Sequence, residues 1–132
     1  MTSDEDRWML AELMRIPGVR FCLVFAVDGI LMSKTAGIDT DSAQRIAAAC
    51  SGQLSLAIAV NKEVGFQGPF LQNFSRWSDG YVFVRRAADK TSLAVVTSGT
   101  ADPSLIAHAM AERIQRIGEP ALSTPGRTPA GA

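Results

Sequence analysis

The sequence has few of the residues on which enzymes and metal sites depend. Its 132 residues include one histidine, His108, and two cysteines, Cys22 and Cys50. No Cys-x-x-Cys or His-x-x-x-His pair is present to hold a metal ion. His108 is predicted to lie on the polar side of the last helix beside Glu112, solvated and unsuited to act as a general base. We therefore expect no catalytic residue, no metal site and no cofactor.

The two cysteines lie in apolar stretches of the chain. Free cysteines in such surroundings behave as small buried apolar residues, and disulfides are rare in the cytoplasm. We therefore expect Cys22 and Cys50 to be buried free thiols in a cytoplasmic protein. A disulfide between them is the alternative.

Charge of one sign and long apolar runs are both lacking. The 13 basic residues balance the 13 acidic ones, and the formal net charge is zero. A balanced surface argues against binding to nucleic acid or to anionic lipid. Arg45 and Gln53 interrupt the longest apolar segment, so we expect no direct insertion into a membrane. The glycine-rich stretch 63–70 lacks the Gly-Lys-Ser/Thr ending of a phosphate-binding loop and is interpreted as a turn.

The chain does contain one long helix that is apolar on more than one side. It is predicted from Asp39 to about Val60, with capping acceptors at 39–42 and many alanine, leucine and isoleucine residues. One apolar stripe suffices for packing on a sheet, so a second stripe requires another partner. Leaving Leu56 in water would forgo roughly 1.5–3 kcal/mol. The second stripe is either buried within its own domain or shared with a second subunit, and we favour the second subunit. It consists of Ala49, Gly52, Leu56 and Val60.

Five segments have the composition of β-strands. The first and fifth are apolar on both faces, so they are predicted to be central and covered by helices on both sides. Asp28-Gly29 predicts a two-residue hairpin turn after the first strand, with positive φ at both positions. Polar residues in the second and third strands place these two at the edges, which gives the order 2-1-5-4-3. The predicted strands are Arg20–Val27, Ile30–Thr35, Leu71–Trp77, Tyr81–Arg86 and Ser92–Thr97.

The third strand has mixed polarity and only one charge to protect its edge. An unprotected edge strand can pair with a copy of itself. We therefore expect this strand and the long helix to form a homodimer together. The predicted interface consists of Ala49, Gly52, Leu56, Val60, Leu71, Asn73, Ser75 and Trp77.

Two further helices flank this core. The first is predicted from about Ser3 to Arg15, with Trp8 as either a partly covered edge residue or a partner contact. The last begins at Asp102-Pro103 and ends near Gly118. The predicted class is α/β (α+β), a three-layer α/β/α domain over residues 1–119 with a mostly antiparallel five-stranded sheet. Residues 120–132, rich in proline and glycine, are predicted to form a disordered tail.

The order and spacing of these segments resemble the Roadblock/dynein light-chain domain family. The likeness is greatest to small actinobacterial members encoded beside a Ras-like GTPase, and the chain is also similar to the bacterial gliding-motility GTPase regulator. The segments that carry it are Leu10-x-x-Leu13-Met14-x-x-Pro17-Gly18-Val19, Asp28-Gly29-Ile30-Leu31, Ser51-Gly52-x-x-Ser55-Leu56, Gly68-Pro69, Gly80-Tyr81-Val82-Phe83-Val84, Leu93-Ala94-Val95-Val96 and Arg113-Ile114-Gln115-Arg116-Ile117-Gly118-Glu119. The third strand departs from the family, whose members are more β-branched there.

The resemblance implies a Roadblock/profilin-like fold and a homodimer with a sheet that is continuous across both subunits. It also implies a non-catalytic, cytoplasmic regulator or scaffold that binds a Ras-like small GTPase, with a sensor histidine kinase-like protein in the same assembly. The candidate GTPase-partner surface is a polar strip on the long helix, made of Gln44, Arg45, Ser51, Ser55 and Lys62. The alternative is a small-molecule-sensing module of profilin-like or PAS-like shape, which would need an apolar cavity between sheet and helix.

Overall fold

The computed structural model describes residues 4–87 and 90–122, which form one antiparallel sheet and three helices. The sheet has five strands in the order β2-β1-β5-β4-β3, and each neighbouring pair is antiparallel. The predicted strand order is therefore confirmed. The elements are α1 (Asp4–Leu13), β1 (Val19–Ala26), β2 (Leu31–Lys34), α2 (Thr40–Val64), β3 (Asn73–Trp77), β4 (Gly80–Arg86), β5 (Thr91–Ser98) and α3 (Pro103–Leu122).

Helices cover both faces of the sheet, as the two apolar faces of β1 and β5 predicted. On one face α1 and α3 pack around Val24, Phe83 and Val95. On the other face α2 packs over Leu23, Val84 and Ala94, among other residues. Because neighbouring residues of a strand point to opposite faces, a central strand supplies both cores at once. Within the described residues no helix is long and apolar enough to cross a membrane.

The β1–β2 connection differs from the predicted two-residue turn. Residues 27–30 connect the strands, and Gly29 has a φ of +88°. Among the described non-glycine residues only Lys90 has a positive φ, so the φ of Asp28 is not positive. The Gly29 N–H donates to the Ala26 carbonyl at 2.8 Å, and the Ala26 N–H donates to the Ile30 carbonyl at 2.9 Å. The prediction is wrong because this longer loop needs only one left-handed residue.

Four predicted boundaries are also wrong. α1 ends at Leu13, two residues before the predicted end at Arg15. α2 continues past Val60 to Val64 and ends at Gly65, whose left-handed conformation closes the helix. β3 begins at Asn73, so Leu71 precedes the strand. α3 continues past Gly118 to Leu122, so the proposed tail contributes residues 120–122 to that helix. Residues 123–132 of the predicted tail lie outside the described residues.

The two cysteines are buried free thiols on opposite faces of the sheet. The predicted free thiols are confirmed, and the alternative of a disulfide is wrong. Burial raises the pKa of Cys22 to about 12 and that of Cys50 to about 11. The thiolate is the reactive form of cysteine, so neither side chain is suited to nucleophilic chemistry near neutral pH.

Candidate interaction surface

α2 begins at a capping residue and packs on the sheet through one stripe of mostly small residues. Asp39 caps the helix and accepts a hydrogen bond from the Ser42 N–H at 3.0 Å. This bond lowers the pKa of Asp39. The stripe that faces the sheet consists of Ala43, Ala47, Cys50 and Leu54, all buried. Small residues at three of these four positions let the helix lie close to the strands.

The opposite face of α2 is exposed and apolar. Leu56 is 68% exposed and Val60 is 60% exposed. Ala48, Ala49, Gly52 and Ala59 on the same face are exposed as well. These residues recur every three or four positions, so they form one continuous surface along the helix. We call Ala48, Ala49, Gly52, Leu56, Ala59 and Val60 the α2 outer face.

Gly52 has no side chain, so the helix backbone is accessible in the middle of the α2 outer face. A Cβ added at this position would meet no atom of residues 4–87 and 90–122 within 4 Å, so none of these residues requires a glycine here. Glycine in a helix interior is less favourable than alanine by roughly 0.5–1 kcal/mol. A partner helix that approaches its backbone closely is one physical reason for retaining it.

Strand β3 adds a second open surface on the same side of the sheet. Asn73 pairs with Val84 and Ser75 pairs with Val82. Directly paired residues share a face, and the side chains of Val82 and Val84 pack in the core beneath α2. Asn73, Ser75 and Trp77 therefore point to the α2 side, at the free edge of the sheet.

The eight predicted interface residues thus fall into two exposed or half-exposed groups. Ala49, Gly52, Leu56 and Val60 lie on the α2 outer face. Asn73, Ser75 and Trp77 lie along β3, and Trp77 is 65% exposed. Leu71 is exposed in the connection just before the strand. The structure places the first group and the three β3 residues on the α2 side of the sheet.

The five residues of the candidate GTPase-partner surface, here called the partner strip, do not share one environment. The Gln44 side chain accepts from the Leu31 N–H at 2.9 Å and donates to the Gly29 carbonyl at 2.8 Å. The Ser51 hydroxyl donates to the Val27 carbonyl at 2.8 Å. These two residues therefore hold the β1–β2 hairpin against α2. Arg45, Ser55 and Lys62 are exposed, and Ser55 borders the α2 outer face.

The end of α2 and the connection that follows it enclose a cavity of about 260 Å³. Its lining is mostly apolar and includes Ala57, Ile58, Phe66, Pro69 and Phe70. Sequence reasoning treated this glycine-rich connection only as a turn and missed the cavity. The signal available was the alternation of glycine with large aromatic residues at 65–70.

The connection is held in place by the side chain of Asn61. Its Oδ1 accepts from the Phe66 N–H at 2.7 Å, and its Nδ2 donates to the Phe66 carbonyl at 3.2 Å. The same backbone segment leaves the Phe66 ring 73% exposed. The loop therefore presents an aromatic side chain to solvent on a fixed backbone.

The outer face of α1 and α3 carries charged residues instead of an apolar stripe. Arg113 forms an ion pair with Glu12, with a nitrogen–oxygen distance of 2.7 Å. Arg116 lies over the Trp8 ring at 4.7 Å from its centre. Trp8 is therefore a partly covered surface residue, which was one of its two predicted roles. His108 is exposed, as predicted.

Comparisons with known proteins agree with this architecture. A family model described as the Roadblock/LC7 domain matches residues 6–97. The crystal structure of a Roadblock/LC7 domain from Streptomyces avermitilis is 30% identical in sequence, with a TM-score of 0.78, and the match covers 89% of this chain and 97% of that chain.

Two MglB structures are similar in fold at lower sequence identity. MglB from Myxococcus xanthus is 12% identical, with a TM-score of 0.75 and coverage of 89% of this chain and 97% of that chain. An MglB structure with a tetrameric arrangement is 15% identical, with a TM-score of 0.77 and coverage of 90% and 91%. No match was found among curated proteins. From the family match and the Streptomyces structure, the chain belongs to the Roadblock/LC7 domain family.

Proposed function

We propose that this protein is a non-catalytic homodimer that binds a Ras-like small GTPase and modulates its nucleotide cycle. The observation that carries the proposal is the α2 outer face, where Leu56 and Val60 are both more than half exposed. Burying one leucine side chain is worth roughly 1.5–3 kcal/mol, so a monomer forgoes a substantial part of its apolar burial. Association with a second copy recovers it.

The placement of β3 supports the same mode of association. Its free edge and the α2 outer face lie on one side of the subunit, so a single partner can contact both. Pairing of two β3 strands would extend the sheet across the dimer and bring two α2 helices together on one face. The fold relative MglB with a tetrameric arrangement supports assembly as the way such a domain works.

The GTPase is proposed to contact the exposed part of the partner strip. Arg45 and Lys62 carry positive charges near the two ends of α2, and Ser55 lies between them. Gln44 and Ser51 act indirectly in this proposal, because their hydrogen bonds hold the hairpin that borders the strip. A sensor histidine kinase-like protein is proposed as a further member of the assembly, with the complex in the cytoplasm.

A leucine substitution on the α2 outer face tests the homodimer. Leu56→Ala should weaken self-association by about tenfold or more, because burial of most of the side chain is worth more than 1.4 kcal/mol. Leu105→Ala is the matched control, since Leu105 is also half-exposed but lies on α3. Analytical ultracentrifugation over a concentration series measures both variants. A wild-type chain that stays monomeric at micromolar concentration would refute the homodimer.

Charge removal on the partner strip tests the GTPase proposal. The double variant Arg45→Ala/Lys62→Ala should lose binding to a Ras-like GTPase from the same organism, and Arg7→Ala is the control on the exposed side of α1. Binding is measured by co-purification with the GTPase loaded with GDP and with a non-hydrolysable GTP analogue. Absence of a complex in both nucleotide states would contradict the proposal.

A small-molecule sensor is the second candidate, and the cavity beside α2 is the observation in its favour. Its volume of about 260 Å³ lies just below the usual range of ligand pockets, roughly 300–1,000 Å³. It lies between α2 and the connection to β3, whereas the sensing hypothesis requires a cavity between helix and sheet. A rise in melting temperature with small apolar compounds, lost in Phe66→Ala, would favour this function.

A further inference from the structure

The last turns of α2 extend beyond the part of the sheet that covers the rest of the helix. The buried stripe of α2 ends at Leu54, and the next residue in line, Ile58, is 40% exposed. The apolar cavity lies beside this segment, with Phe66 and Phe70 among its walls. An apolar stripe that continues into an open apolar cavity needs something to fill the space.

Trp77, at the end of β3, has the properties needed to fill such an apolar cavity. The side chain is 65% exposed and points to the α2 side of the sheet edge. Its Nε1–H donates to the Ser75 hydroxyl of the same strand at 3.2 Å. Because the polar group of the indole already has an acceptor, the ring can enter an apolar cavity without leaving a donor unpaired.

Pairing of β3 with a second copy brings these two features together. All five residues of β3 find partners when Ser75 lies opposite the same residue of the second copy. Trp77 of one subunit then lies beside Asn73 of the other, which follows the cavity residue Phe70 by three positions. A twofold axis leaves both tryptophans on the α2 side of the continuous sheet.

The opposite face of β3 favours the same register. With Ser75 at the centre, Arg76 of one subunit lies opposite Phe74 of the other, on the face away from α2. A guanidinium next to an aromatic ring is favourable. A register that placed Arg76 opposite Arg76 would bring like charges together, which is destabilising.

We infer that Trp77 of each subunit inserts into the cavity between α2 and the α2–β3 connection of the other subunit. The inference rests on the proposed homodimer and adds to it a reciprocal side-chain contact. The Asn61 hydrogen bonds to Phe66 give this contact a preformed wall. The cavity is thus part of the subunit interface.

Fluorescence of Trp77 tests the contact directly. The chain has two tryptophans, so Trp8→Phe leaves Trp77 as the single reporter. Emission and acrylamide quenching are measured over a concentration series, alongside sedimentation. Emission should shift to shorter wavelength and quenching should fall as the dimer forms. Adding Phe66→Ala, which removes an exposed wall of the cavity, should partly reverse both changes, and adding Leu105→Ala should not.

Substitution of the tryptophan gives the second measurement. Trp77→Ala should weaken self-association by about tenfold or more, as truncation of a buried interface tryptophan does, and Trp8→Ala should leave it unchanged. A dimer in which Trp77 keeps the emission and quenching of an exposed indole would overturn the contact while leaving the homodimer intact. A chain that is monomeric throughout the series would overturn the homodimer as well.

Discussion

Gly52 offers a test in which folding and association should change in opposite directions. It occupies an exposed position within α2, and a Cβ added there would meet no atom within 4 Å in the described part of the subunit. In Gly52→Ala the new methyl group therefore causes no strain in the isolated subunit. Any steric effect of the substitution must come from a partner.

The expected gain in subunit stability is about 0.5–1 kcal/mol, because alanine loses less backbone entropy than glycine in a helix. The expected effect on association has the opposite sign. If the two α2 helices meet at Gly52, a methyl group at the point of contact separates the backbones and reduces the burial of Leu56 and Val60. Loss of even half of one leucine side chain's burial, about 1 kcal/mol, weakens association by about fivefold.

The assay separates the two effects by their dependence on protein concentration. Urea unfolding is measured at several concentrations, because association stabilises the folded state by mass action. At the lowest concentration, Gly52→Ala should be the more stable chain. At the highest, its advantage should shrink or reverse, and sedimentation should show a smaller dimer fraction than in the wild type.

Two outcomes would refute the reasoning. If Gly52→Ala gains stability equally at all concentrations and dimerises as the wild type does, the two helices do not meet at this residue. If it loses stability at the lowest concentration, the open surroundings of Gly52 do not describe the folded subunit. In either case Gly52 would not explain a close approach between helices.

Two further predictions concern the helix cap and the buried thiols. Asp39→Ala should lower the melting temperature at neutral pH, because the cap of α2 is lost. The pKa of Asp39 is lowered in the folded state, so the stability that its carboxylate contributes is present above the unfolded-state pKa and is lost as the pH falls through the folded-state pKa. The difference in melting temperature between variant and wild type should therefore narrow in acid. A constant difference in a pH series of thermal melts would contradict this. Cys22 and Cys50, with pKa values raised to about 12 and about 11 by burial, should react with a thiol reagent at pH 8 far more slowly in the native protein than in urea, and equal rates would contradict their burial.

Hydrophobicity constrained the order of the strands. Strands β1 and β5 are apolar on both faces, which requires central positions between two layers of helices. Strand β3 carries polar residues, which suits an edge. These are requirements of burial, and they hold for any arrangement of the loops. The sequence therefore predicted the layers and the strand order correctly.

Element ends were predicted less well because they depend on local competition. α2 passes Val60 since nothing before Gly65 stops it, and Asn61 finds its partners in the following loop. The last helix was predicted to end near Gly118, with a tail from residue 120, but α3 continues through Pro120 to Leu122. Proline removes one hydrogen bond near a helix end, where few remain to be lost.

The partner strip shows what side-chain spacing cannot decide. Gln44, Ser51 and Ser55 lie at helical spacing, and sequence reasoning assigned them a common role. In the structure, two of them bond to the backbone of the β1–β2 hairpin, whereas Ser55 is exposed. A polar side chain on this helix is either solvated or hydrogen-bonded to a distant backbone carbonyl. Only the packing of the hairpin against α2 determines which of the two occurs at each position.

The amino-acid sequence by itself determined that this protein has more apolar helical surface than one sheet can cover, because Leu56 and Val60 fall on a different stripe from Leu54. Periodicity is a local property, so it can be read from the chain. Only the tertiary structure decided that the α2 outer face and Trp77 lie on one side of the subunit, and that a cavity opens between the end of α2 and the connection to β3. Those relations join residues far apart in sequence, and they depend on how the helix and the edge strand pack on the sheet.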